Sequence, residues 1–109
     1  MRIIALPEVE EYLTDLINIL YEKKYFSFEE NAIKYVQDLI EDIRANLPNK
    51  IKKPAPAYFE RYGHNMSYAV FRKNKLTQWY VFFTIYRDQD EIVYLIRYVA
   101  NNHTIAQYL

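Results

Sequence analysis

The chain has 109 residues, 51% hydrophobic and 17% aromatic, with one glycine and no cysteine. That length suits one domain burying roughly 60–70% of its unfolded surface, and the composition excludes a disordered chain, disulfides and thiolate metal sites. A formal net charge of zero hides a separation along the chain: residues 1–47 carry five basic side chains against ten acidic, residues 48–87 eight basic against Glu60 alone, and residues 88–109 Arg97 against three acids.

No apolar run approaches the roughly 20 residues of a membrane span. The N-terminus also lacks the basic and apolar regions of a signal peptide, so a cytoplasmic protein is expected. The basic middle segment suits a cationic face for phosphates or an acidic peptide. It equally suits lysines and arginines that keep sheet edges from aggregating.

In chain order, Arg2-Ile-Ile-Ala5 is a short apolar run ending near Pro7, which predicts a strand followed by a helix with proline in its first turn. Val9, Tyr12, Leu13, Leu16, Ile17, Leu20 and Tyr21 then recur at helical spacing to about Lys24, acids early and lysines late. Ser27-Phe-Glu-Glu30 has the form of a capping box. A second amphipathic helix follows, with Phe28, Ala32, Tyr35, Val36, Leu39, Ile40, Ile43 and Leu47 as its apolar stripe. The short link makes the two helices an antiparallel pair.

Residues 48–57 hold three prolines among polar residues and read as a loop. Residues 58–62 read as a short strand before a turn at Gly63-His64-Asn65. Ser67-Tyr-Ala-Val-Phe-Arg72 is a firmer strand, and Lys73-Asn-Lys75 a hairpin turn, with Asn74 suited to positive φ. Two long strands, 77–87 and 91–103, then flank an acidic turn at 88–90. The expected fold is α+β, an antiparallel sheet of four strands in the order β-α-α-β-β-β, with the helical hairpin packed on one face.

The last hairpin is dense in aromatic and β-branched residues on both faces. Trp79, Val81, Phe83 and Ile85 share one side, which should face the helices. Gln78, Tyr80, Phe82, Thr84 and Tyr86 share the other, whose hydroxyl-bearing rings, Tyr80 and Tyr86 above all, suit a partly wet partner surface. A second small core under the tail and loops is the competing reading. The helices supply one cover and the sequence shows no obvious second one, so a partner is expected.

The order of elements resembles the RelE/ParE superfamily of small bacterial toxins, most closely in Lys75-Leu-Thr-Gln-Trp-Tyr-Val-Phe-Phe-Thr-Ile85 and Ile92-Val-Tyr-Leu-Ile-Arg-Tyr-Val-Ala-Asn-Asn-His103. The resemblance covers nearly the whole chain and rests on a pattern of aromatic and β-branched positions, not on one diagnostic motif. It implies the toxin of a type II toxin–antitoxin system, bound and neutralised by a cognate antitoxin. The RelE-like branch cleaves messenger RNA on the ribosome without a metal; the ParE-like branch poisons DNA gyrase by binding. A structural or regulatory domain outside such systems is a third reading, since fold does not fix function.

In the RelE-like branch the working residues are arginine and lysine on the late strands with a tyrosine or histidine near the C-terminus. The matching positions here are Arg97, His103 and Tyr108 for catalysis, and Arg61, Lys73, Lys75 and Arg87 for phosphate. An imidazole both accepts and donates protons near neutral pH, which favours His103; a tail-packing histidine is the plainer reading. Arg97 is placed with Val93, Leu95 and Val99 on one strand face, where it needs an anion or a salt bridge. Tyr108 serves packing as well as chemistry. His64 is read as a loop residue, and two distant histidines without cysteine point to no metal or cofactor.

Overall fold

The computed structural model describes residues 1–109 throughout. Its elements in chain order are strand β1 (Arg2–Ala5), helices α1 (Pro7–Glu22) and α2 (Glu29–Asn46), and strands β2 (Lys53–Pro54), β3 (Ser67–Arg72), β4 (Gln78–Asp88) and β5 (Glu91–Asn101). A single turn of helix, α3 (Asn102–Ile105), follows, and 3-10 segments lie at Leu47–Asn49, Ala57–Tyr62 and Ala106–Tyr108. The class is α+β as expected. The sheet, however, has five strands in the order β1-β5-β4-β3-β2, not four.

It is also mixed: β1 pairs in parallel with β5, from Arg2 opposite Val93 to Ala5 opposite Ile96. One edge of β5 is taken by β4, so its other edge is the place left for the N-terminal strand. The extra strand, β2, forms inside the proline-rich loop, where Lys53 and Pro54 pair with Tyr68 and Ser67. Proline is tolerated there because β2 is an edge.

Proline at the first helical position starts α1, as expected, and Lys24 at φ 60° ends the turn after it. The capping box does not form. Extended Phe28 takes the N-cap place of α2 without a side-chain cap, which leaves Ser27 one residue too early to reach the free amides. Residues 57–62 are 3-10 helix, not strand, and bury Phe59 completely. At residues 73–77 the asparagine turn is also different: Asn74 keeps negative φ, and its side-chain oxygen accepts from the amides of Leu76 and Thr77 at 2.8 and 2.9 Å. The acidic turn of the last hairpin is tight, with Gln89 and Asp90 at φ 50° and 68° between paired Asp88 and Glu91. Arg2 reaches it through Asp88 at 2.8 Å and Glu91 at 3.1 Å.

The main core lies between the helices and one sheet face. Leu13, Leu16, Val36, Leu39 and Ile43 meet Phe71, Trp79, Val81, Phe83 and Val99 there, and the Trp79 indole donates to the Tyr35 hydroxyl at 2.9 Å. Ile85 does not join them and is 44% exposed. The reason is length: β4 has 11 residues, roughly 37 Å of strand, whereas the 16 residues of α1 span roughly 24 Å.

The second face is covered by the chain itself. Phe59, Met66, Phe82, Ala100 and Ile105 form a second core, lined by Tyr58, Tyr62, Tyr68, Tyr80 and Tyr98. The 3-10 segment at Ala57–Tyr62 and the turns after β5 fold back over the sheet, so the expectation of a missing cover is corrected. Phe82 is fully buried without a partner. Phe59→Ala should therefore lower the unfolding free energy of the isolated protein by about 3–5 kcal/mol, measured by urea denaturation; a change below 1 kcal/mol would mean that this face is not a core.

Candidate functional site

The register of β4 and β5 slips once: Phe82 faces Tyr98 and Phe83 faces Ile96, so Arg97 is an unpaired extra residue on β5. This bulge resets the alternation that places Arg97 with Val99. Val99 enters the helix-side core, whereas Arg97 turns to the other face and donates from Nε to Thr84 Oγ1 at 3.2 Å. No carboxylate pairs with it, so the expected intramolecular salt bridge is absent.

The chain's single glycine makes room for this side chain. A Cβ on Gly63 would lie 2.6 Å from Arg97 Cδ, 3.2 Å from its Nε and 3.2 Å from Met66 Sδ. The missing methyl group is the slot in which the arginine stem rests.

Arg61 reaches the same place from the end of the 3-10 segment. Its guanidinium carbon lies 4.2 Å from the Tyr58 ring centre, and its Nε donates to the Tyr58 carbonyl at 3.2 Å. Arg61 and Arg97 line one open cleft of about 520 Å³ with Glu8, Tyr12, Tyr62 and Tyr98. Tyr62 and Tyr98 stack face to face, 3.9 Å apart and 5° from parallel, and wall the cleft. Burial raises the Tyr98 phenol, and Tyr62 beside it raises it further; burial also raises Tyr12. Both remain neutral at physiological pH.

Both arginines are thus held through Nε, and their terminal nitrogens bond to nothing in the protein. Glu8, the one carboxylate in the lining, pairs with neither. Two planar cations fixed by their stems, with free forks beside an aromatic wall, can grip a phosphate or carboxylate bidentately.

The other expected residues lie around this cleft or away from it. Tyr108 stacks on Tyr58 at 3.6 Å and 4° from parallel, on the ring that also carries Arg61. The Tyr58 hydroxyl pushes the Tyr108 phenol up, which keeps it a neutral donor. His103 sits on α3 with Nε2 3.4 Å from Thr77 Oγ1, too long to hold the ring firmly. It lines a neighbouring cleft of about 650 Å³, which shares Tyr12 and Thr104 with the arginine cleft.

Lys73 lies 4.9 Å over the Tyr35 ring on the helix side, and Lys75 is exposed in the turn before β4. Arg87 lies opposite Ile92, four residues past the bulge at Phe82/Phe83 and so roughly 14 Å along β4 from Arg97. Of the four phosphate-binding candidates, only Arg61 therefore meets Arg97. Tyr80 is half-buried over the second core and donates to Gln78 at 3.0 Å, whereas Tyr86 is 42% exposed. Sequence reasoning missed Tyr12, Tyr62 and Tyr98 as cleft walls. It also missed Gly63, whose signal was there to find as the only glycine in the chain.

Gly63→Ala should displace Arg97 and cost about 1–3 kcal/mol in urea unfolding. In an Arg97→Ala background the same change should cost clearly less, because the clashing side chain is gone; equal costs in both backgrounds would refute the contact. The phenols predict an alkaline response. In the unfolded chain they titrate near 10.0, and in the fold they hold their protons longer. Their stabilisation is complete below the unfolded value and is lost as pH rises through the folded one. Denaturation midpoints should fall above about pH 10, less steeply in Tyr98→Phe. Comparison with protein-family models, with curated proteins and with solved structures finds no significant match to this chain, and the site stands on its own geometry.

Proposed function

We propose that the chain is the toxin of a type II toxin–antitoxin pair of RelE/ParE kind, acting as a ribosome-dependent messenger RNA endoribonuclease. The observation that carries the reading is the pair of arginines, Arg61 and Arg97, whose free terminal nitrogens share one cleft. The helical hairpin laid on one face of a sheet with a long final hairpin agrees with the resemblance in the sequence.

In this reading the 2′-hydroxyl of the RNA attacks the adjacent phosphorus and the 5′-oxygen leaves. The chain must hold the phosphate and neutralise the charge that grows on its oxygens. Arg61 and Arg97 do this. Tyr108, a neutral phenol separated from Arg61 by the Tyr58 ring, is assigned as the proton donor to the leaving oxygen, and His103 in the adjoining cleft as the residue able to accept one. The antitoxin is a protein partner whose contacts include exposed Tyr86.

Induction in a bacterial host should arrest growth and create new 5′ ends within translated messages, mapped by primer extension. Arg97→Ala and Arg61→Ala should each reduce cleavage by about 10²–10³-fold, the usual cost of removing one charge-stabilising donor. Arrest without new 5′ ends, unchanged in both variants, would point instead to the gyrase-binding branch. No arrest, and no stable complex with the product of the neighbouring reading frame, would place the chain outside toxin–antitoxin systems.

A further inference from the structure

The cleft of His103 has a composition that the phosphate grip leaves unused. Its lining includes Tyr25, Phe26, Tyr35 and Trp79 with Lys23 and no acidic residue. Of these four, beside Tyr12 at the junction with the arginine cleft, three are already engaged. Trp79 is 1% exposed and bonded to Tyr35, and Tyr35 also carries Phe26 at 5.5 Å and Lys73 at 4.9 Å. Tyr25 is 70% exposed and stacks on nothing in the protein.

Its backbone is nevertheless fixed. Lys24 takes the left-handed conformation, and the Tyr25 amide donates to the Leu20 carbonyl at 3.0 Å, so the chain turns a hydrogen-bonded corner there that sets the ring at the rim. Hydrogen-bonding groups lie within the same cleft: Asn74, whose Oδ1 is spent on the turn while its amide nitrogen is free, Thr77 and His103.

We infer that this second cleft is a base-stacking subsite continuous with the arginine cleft, so that the chain binds single-stranded RNA across about four nucleotides, the span that α1 sets between Tyr12 and its C-terminal end, with a base against Tyr25. The inference rests on the phosphate-binding reading of Arg61 and Arg97. Tyr12 and Thr104 line both clefts, which makes them neighbours along one track. An exposed ring at the rim of a cleft lined by Lys23 and no carboxylate suits a polyanion with flat bases, whereas an acidic peptide would leave the ring without a planar partner. A duplex keeps its bases stacked on one another and cannot offer one to Tyr25.

The test uses the full chain and uncleavable 2′-O-methyl oligonucleotides with a fluorescent label, read by anisotropy at low salt. Tyr25→Ala should weaken a single-stranded tetranucleotide by about tenfold or more, leave a mononucleotide unchanged, and be rescued in Tyr25→Phe. A blunt duplex should gain nothing from Tyr25. Because the side chain is exposed, the variant opens no cavity and should unfold at the wild-type urea midpoint. If Tyr25→Ala binds the tetranucleotide as wild type does while Arg97→Ala weakens both ligands, the stacking subsite is refuted and the phosphate cleft survives. If Arg97→Ala changes neither ligand, the phosphate cleft falls and takes this inference with it. Tyr25-dependent binding of poly-glutamate in place of the tetranucleotide would overturn the inference in favour of a peptide site.

Discussion

A strand pair that is apolar on both faces has to be covered twice, and everything else in this molecule answers that requirement. β4 and β5 put Trp79, Val81 and Phe83 on one side and Phe82 and Ala100 on the other. The helical hairpin is a sufficient cover for the first, because two amphipathic stripes at helical spacing make a broad apolar surface. The second side is closed by less regular means, a 3-10 segment and a few C-terminal turns. Those turns bring backbone ends, hydroxyls and Arg61 to the sheet that already carries Arg97. The candidate site is therefore a product of how the second face is sealed.

The two covers differ in chemistry as well as in shape. The helix side is closed by aliphatic side chains with a single indole–phenol hydrogen bond inside. The other side is closed by tyrosines, whose rings fill volume while their hydroxyls stay near water. Stacked pairs such as Tyr62 and Tyr98 are rigid, with few torsions to freeze, and so they give the arginine cleft a firm wall. Fixing each guanidinium through Nε has the same effect on its charged end: little side-chain freedom remains to be lost when an anion arrives.

The parts of this fold that periodicity determines were legible before any coordinates. The stripes of α1 and α2 and the alternation of β4 are local patterns that burial enforces, and they match the structure except at their ends, where Tyr21, Phe28 and Ile85 are exposed. What was hidden depends on pairings between distant segments. Nothing in Arg2-Ile-Ile-Ala5 says that its partner is β5 or that the pairing is parallel, and Lys53–Pro54 becomes a strand only because β3 offers it an edge. The bulge at Arg97 was likewise invisible, because an extra residue leaves no mark on composition. Arg61 and Arg97 could each be named from the sequence. Their meeting could not, because it needs the bulge, the Gly63 slot and the fold of residues 57–62 together.

The pairing of β1 with β5 has a consequence in time. Arg2 and Val93 are neighbours in space but roughly 90 residues apart in the chain, so their contact carries a large loop-closure cost and forms late. During synthesis the ribosome must emit nearly the whole chain before β1 can find its place, and the 3-10 segment around Phe59 must wait for Phe82 and Ile105 to seal its side. A nascent chain can hold the helical hairpin early, but the cleft cannot exist until β5 has emerged. The candidate site is assembled last, as a property of the finished molecule alone.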